Sequence, residues 1–226
     1  MEFFGSFINM DDPRHARQRG IVSRSFTPRQ LASVLDSVET ICSEVIDGMC
    51  EQGEVDLVEA LSQPFPLLVI CDMMGIPRTE FRTVLDATNV ILGAGDPDML
   101  GGRDPMTAIF EAGMQLTMLM NELADERRKE PRDDLTSALV NAEGHEDILA
   151  PHEIAPFFIL LAVAGNDTTR TAISRGHASA VATSRSTPGV AGRSRRRDDD
   201  RGRGDRARRV AGHVHAAHRD EGDACR

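Results

Sequence analysis

From residue 10 onward the apolar positions recur at helical intervals almost throughout. Asp11-Asp12-Pro13 offers a helix start, with a carboxylate to cap open backbone donors and a proline suited to the first turn, and a basic helix follows to Ser25. Thr27-Pro28 repeats the device before Leu31, Val34, Leu35, Val38, Ile41, Val45 and Ile46, whose three-and-four spacing predicts a long amphipathic helix ending near Gly53. Leu61 to Met74 is apolar on most sides, which predicts a buried helix, and Gly75-Ile76-Pro77 supplies its stop. Two more helical patterns, Arg78 to about Gly93 and Met106 to about Glu130, flank a Gly/Pro/Asp-rich stretch from Ala94 to Gly102 that reads as a mobile connection, with Ile91, Leu92, Leu100 and Phe110 as apolar side chains around it. A short helix over Asp133–Ala142 precedes one that starts at Pro151-His152-Glu153 and runs through Phe157, Phe158, Leu160, Leu161, Val163 and Ile173. Val55–Val58 is the best candidate for a strand, so the predicted fold class is mainly α.

Composition divides the chain. Residues 1–174 hold 13 Lys+Arg against 29 Asp+Glu, whereas residues 175–226 hold 13 against 7. The second stretch contains no Leu, Ile, Met, Phe, Tyr or Trp. Ordering a residue costs roughly 1–2 kcal/mol of backbone entropy, and a segment without large apolar side chains cannot offset that. The expected organisation is therefore a helical domain over 1–176 and a disordered Arg-rich tail over 177–226. Clustered arginines leave a nucleic-acid-binding arm as the alternative for this tail, although it has no lysine or aromatic residue and its arginines are interleaved with Asp198, Asp199 and Asp200.

Cys42, Cys50, Cys71 and Cys225 show no metal-ligand spacing, which predicts free thiols and no metal site of their own. The longest apolar run, Phe157–Ala164, is far short of the roughly 20 residues of a membrane span. With no signal-like segment at the start, these features predict a cytoplasmic protein that does not engage a membrane.

Ala164-Gly165-Asn166-Asp167-Thr168-Thr169 interrupts the apolar helix with glycine, an acid and two β-branched residues, several costs in one place. Small residues at 164 and 165 admit a flat ligand close to the backbone, and Asp167 with Thr168 can open the helix or relay protons. A helix end is the other reading, with Gly165 as C-cap and Asn166–Thr168 as a new N-cap. Near the start, His15 and Arg19 stand four apart and so share one helix face, where they can grip a carboxylate or simply form a solvated face.

These strings resemble a known family. Ala164–Thr169 is similar to the A-G-x-[DE]-T-T signature of the central helix of cytochromes P450, Asp12–Arg19 to their D-P-x-H-x-x-x-R segment, Phe26-Thr27-Pro28 to S-F-T-P, and Cys71–Pro77 to a helix ending in L-G-I-P. The order of the four anchors agrees, over about residues 8–176, and the wording is closest to soluble actinobacterial members acting on sterols or related lipids. The resemblance implies a partial cytochrome P450 fold and a heme-thiolate monooxygenase that inserts one oxygen atom from O2 into an apolar small molecule. It also implies heme b as cofactor, with ferredoxin and ferredoxin reductase as electron donors. By the same match Asp167 and Thr168 manage proton delivery, Ala164 and Gly165 face the heme, and His15 and Arg19 hold its propionates.

The family also needs an E-x-x-R helix and a phenylalanine–glycine loop bearing the thiolate cysteine. Neither motif occurs, and Cys225 lies outside any such loop. Codons for Gly202–Arg208 read one base later permit V-E-E-I-V-R, the missing E-x-x-R pattern. The expectation is a one-base insertion at about codon 177, and a chain that is inactive as written; a non-catalytic helical remnant or partner-binding protein is the alternative. Sequencing the locus checks this: deleting one base is expected to restore the E-x-x-R segment in frame, and a locus with no such in-frame rescue overturns the reading.

Overall fold

The computed structural model describes residues 5–26, 28–52, 54–96, 100, 102–141 and 148–186. Among them are α1 (Arg14–Ser25), α2 (Pro28–Cys50), α3 (Pro64–Met74), α4 (Phe81–Gly93), α5 (Pro105–Lys129), α6 (Leu135–Asn141) and α7 (Pro151–Ser186). Local chemistry sets the starts. Asp12 Oδ1 accepts from the Ala16 N–H at 3.2 Å, Asp104 caps α5 by accepting from the Thr107 N–H at 2.8 Å, and Asp134 caps α6 through the Ser137 N–H at 2.7 Å.

Two expectations need correction or extension. Val55–Val58 is not a strand: Asp56 Oδ1 accepts from the N–H groups of Val58 and Glu59, and this local cap turns the chain into a π-helical turn over Val58–Ser62. No strand occurs among the described residues. Helix α7 does not end near Gly165 or Gly176 but continues to Ser186, so residues 177–186, expected as the beginning of a disordered tail, are helical. They are rich in alanine and free of proline, and extending a formed helix is far easier than starting one. Residues 187–226 lie outside the described residues, as do 97–99 and 101 of the connection expected to be mobile.

The chain divides into two compact units, one formed by Met1–Val38 with Pro66–Thr168 and the other by Glu39–Phe65 with Thr169–Arg226. The second contains the later part of α2, where Ile41 and Met49 are buried, and the end of α7. The first holds the main apolar core, built from Ile21 of α1, Leu67 and Ile70 of α3, Val84 and Ile91 of α4, Leu116 and Met120 of α5, Leu139 of α6, and Ile154 and Phe158 of α7. Ile91 and Leu100 are core residues, whereas Phe110 is 63% exposed. Helix α5 packs on α4 and α6, and α1 packs on α6.

A buried polar knot fixes one corner of this unit. Helix α3 closes with the Ile76 N–H donating to Cys71 O at 2.8 Å and the Gly75 N–H to Asp72 O at 3.0 Å, with Gly75 at φ 74°. A Cβ at Gly75 would overlap the Asp134 carboxylate. Arg127 Nε donates to Asp134 Oδ2 at 2.5 Å and Nη2 to Gly75 O at 2.9 Å, while Thr136 Oγ1 donates to Met74 O at 2.6 Å. Both charged groups are buried. Removing one member of a buried pair strands the other, at a cost of about 3–5 kcal/mol. Asp134→Ala is expected to lower unfolding stability by that amount in urea titration, and Gly75→Ala to be destabilising as well; a loss of less than about 1 kcal/mol for Asp134→Ala would remove the pair from its role.

Candidate active site

The candidate residues His15 and Arg19 on α1 and Ala164, Gly165, Asp167 and Thr168 on α7 lie in the same compact unit. One carboxylate joins the helices. Arg17 Nη1 donates to both oxygens of Glu153 at 2.9 and 3.1 Å, Gln18 Nε2 donates to Glu153 Oε1 at 2.8 Å, and the Ala150 N–H donates to Glu153 Oε2 at 2.8 Å. Arg17 Nη2 also reaches Ile148 O at 3.0 Å. Burial opposes the charge on Glu153, but the Ala150 amide, Arg17 and Gln18 outweigh it and hold the carboxyl below its ordinary value.

Aromatic contacts supply a second link. His15 lies with its ring centroid 6.0 Å from that of Phe7, and Phe7 stacks on Phe157 of α7 at 6.4 Å and 18°. His15 Nδ1 is 3.7 Å from Asp12 Oδ1, and its side chain is one-third exposed. Arg19, one turn on, is exposed. Phe157, Ala164 and Thr168 recur at seven and four residues along α7 and so share one helix face. The face that touches Phe7, and through it His15, thus continues toward Ala164 and Thr168.

Around the glycine–acid–threonine string the helix stays continuous. Thr168 Oγ1 donates to Ala164 O at 2.8 Å, the competition for a backbone carbonyl that its position predicts. Ala164 and Thr168 are exposed and Asp167 is half-buried. Gly165 turns instead toward α3, where an added Cβ would lie 3.1 Å from Ile70 Cδ1. Asn166 faces inward, is 0% exposed, and has no hydrogen-bond partner for either amide atom among the described residues. Asn166, Phe7 and the Arg17–Gln18–Glu153 cluster did not stand out in the sequence; the signals available were an amide inside an apolar run and a glutamate in the first turn of α7.

No protein-family model matches the chain. Curated relatives do: a methyl-branched lipid omega-hydroxylase of Mycobacterium tuberculosis is 45% identical over 178 residues, covering 77% of this chain and 41% of the relative. A steroid C26-monooxygenase of Rhodococcus jostii is 36% identical over 169 residues, covering 75% and 35%. Among solved structures, a Mycobacterium marinum cytochrome P450 in complex with pseudoionone superposes with a TM-score of 0.68 at 45% identity, covering 76% of this chain and 42% of that one. The chain belongs to the cytochrome P450 family. It spans about two-fifths of the length of the first of these relatives, and its helices have the cytochrome P450 fold over the matched part.

In this cytochrome P450 segment the donor set fits the rim of a porphyrin better than its iron. His15 and Arg19 are accessible donors one turn apart, and Ala164 leaves an open small-residue face. Cys71 is buried and its thiol is pushed up to about 12 by burial, which outweighs the opposing Arg78 and is helped slightly by Asp72, so it is a neutral thiol rather than a thiolate. Among the described residues no group of three or more His, Cys, Asp and Glu could hold a metal ion, and no helix is long and apolar enough to cross a membrane.

Because Glu153 titrates lower in the folded chain, its stabilisation is complete above the ordinary carboxyl value and is lost as pH falls through the lowered one. Glu153→Gln is expected to cost about 1–3 kcal/mol at neutral pH and to flatten the acid limb of the stability curve. Urea titrations between about pH 3 and pH 7 check this, and an unchanged acid limb would reject the assignment.

Proposed function

We propose that this chain is the oxygen-side and propionate-side part of a heme-thiolate monooxygenase acting on an apolar substrate of the lipid or sterol kind. The observation that carries this reading is the shared face of Phe157, Ala164 and Thr168 on α7, tied to His15 through Phe7. The names of the relatives, a methyl-branched lipid hydroxylase and steroid monooxygenases, support the substrate class.

His15 and Arg19 would hold the carboxylates of heme b, one as an imidazole donor and the other as a planar guanidinium. Ala164 keeps the helix surface low, so that a flat ring approaches the backbone, whereas Gly165, which the resemblance also put on the heme face, lets α7 pack closely on Ile70 of α3. Asp167 and Thr168 hold and pass a proton at the carboxylate and at Oγ1. Heme held with a thiolate ligand would supply the redox chemistry of O2 activation and oxygen insertion into a C–H bond. Ferredoxin and its reductase are the electron donors of an intact version, which we place in the cytoplasm.

The sequence has no phenylalanine–glycine loop around a cysteine, which favours a second reading: a helical product without monooxygenase turnover. Reduced-carbonyl difference spectroscopy on the purified chain, expressed with heme precursor, separates the two. No thiolate-type Soret band is expected, and such a band would show that the chain supplies its own ligand and is an active enzyme.

A further inference from the structure

Asn166 stands where the core face of α7 calls for an apolar side chain. Ala155, Ile159 and Ala162 lead to it in steps of four, three and four residues, the spacing that keeps side chains on one helix face. All three are buried, and Asn166 takes the next position of the same stripe, also buried. Its Nδ2 and Oδ1 have no hydrogen-bond partner among the described residues. Other buried polar side chains on the helices are served: Ser25, Thr88 and Thr136 each donate to a backbone carbonyl. A primary amide has two hydrogens to give and two lone pairs to offer, so burying it unpaired costs more than burying one hydroxyl.

That cost falls on the closed helix alone. In the closed form the backbone N–H of Asn166 is committed to the carbonyl four residues back, that of Ala162, and the side-chain amide gains nothing. When the turn opens, the Ala162 carbonyl and the N–H groups of that turn are freed, and a short amide side chain is well suited to bond them. The backbone bonds lost on opening are then offset in part by bonds that the closed helix denies. Two neighbours weaken the same turn. Gly165 is a poor helix former, and Thr168 Oγ1 already draws on the carbonyl of Ala164. An apolar side chain at position 166 would pack in the closed form and gain no hydrogen bond in the open one.

We infer that Asn166 is a built-in weak point of α7, its unpaired amide lowering the cost of opening the turn over residues 162–168, which carries Asp167 and Thr168. A buried polar group left unsatisfied is a reservoir of strain, and segments that open locally, well below the cost of global unfolding, are the ones that move in function. The device sets how readily the Asp167 carboxyl and the Thr168 hydroxyl are re-aimed, which makes Asn166 a positioning residue. It resides in the helix itself, so it holds with or without heme and does not rest on the monooxygenase reading.

Native-state hydrogen exchange on the full 226-residue chain, without heme, tests this. The backbone amides of residues 166–168 are expected to exchange faster than those of residues 157–160 in the same helix, through an opening with little sensitivity to urea. Asn166→Val removes the amide at nearly unchanged helix propensity, and Asn166→Leu does so with a side chain of similar length. Both variants are expected to slow exchange at residues 166–168 by about tenfold or more, with unchanged helical circular dichroism and a urea midpoint at least as high as that of the original chain. Equal protection of the two stretches in the original chain overturns the inference, and so does exchange at 166–168 that neither variant changes. Faster exchange, a lower midpoint or failure to fold in both variants overturns it as well, by showing that the amide supports the closed helix.

Discussion

Glu153 bridges the two helices on which every candidate functional residue stands. Its oxygens accept from Arg17 and Gln18 of α1 and from the amide of Ala150 just before α7. Four hydrogen bonds on one half-buried carboxylate fix how α1 enters and where α7 begins. Phe7 adds an aromatic link one turn away, between His15 and Phe157. If either link loosened, His15 and Arg19 would keep their helix but lose their relation to Ala164 and Thr168.

At the Gly75 corner a different balance applies. Arg127 and Asp134 are both buried, an arrangement that weighs desolvation against attraction; here Arg127 Nη2 finds Gly75 O and Asp134 Oδ1 the Ser137 amide, while Arg127 Nη1 has the Glu126 carboxylate at 3.0 Å as an ion-pair partner. The knot ties the ends of three helices without a strand or a disulfide. Asn166 is the opposite case, an amide in the apolar interior with neither atom partnered among the described residues. Such a group costs about 1–3 kcal/mol, and it lies between Gly165 and Asp167, where the family signature is found.

Helices set by strong local chemistry were legible in the sequence. The Asp12-Pro13 start, the Gly75 stop and the Pro151 start of α7 give boundaries within a residue or two. Val55–Val58 misled because β-branched residues look strand-like in isolation, while Asp56, two positions before Val58, captures the amides that a strand would need. Helix α7 outran its expected end because helix growth depends on residue propensity, and the stretch after Gly176 is rich in alanine. The candidates His15, Arg19, Asp167 and Thr168 were singled out by the motifs that resemble the family's. Their supports were not, since Arg17 with Glu153 and Phe7 with Phe157 are separated by more than a hundred residues and no local pattern pairs them.

Thr168 already spends its hydroxyl hydrogen on the Ala164 carbonyl. A hydroxyl has one hydrogen to give and two lone pairs to offer. An incoming donor can therefore engage the outward lone pairs of Oγ1 with no rearrangement, whereas an incoming acceptor must first draw the hydrogen away from the backbone, surrendering a bond worth about 1 kcal/mol net. On this surface the residue is a ready receiver and a reluctant giver.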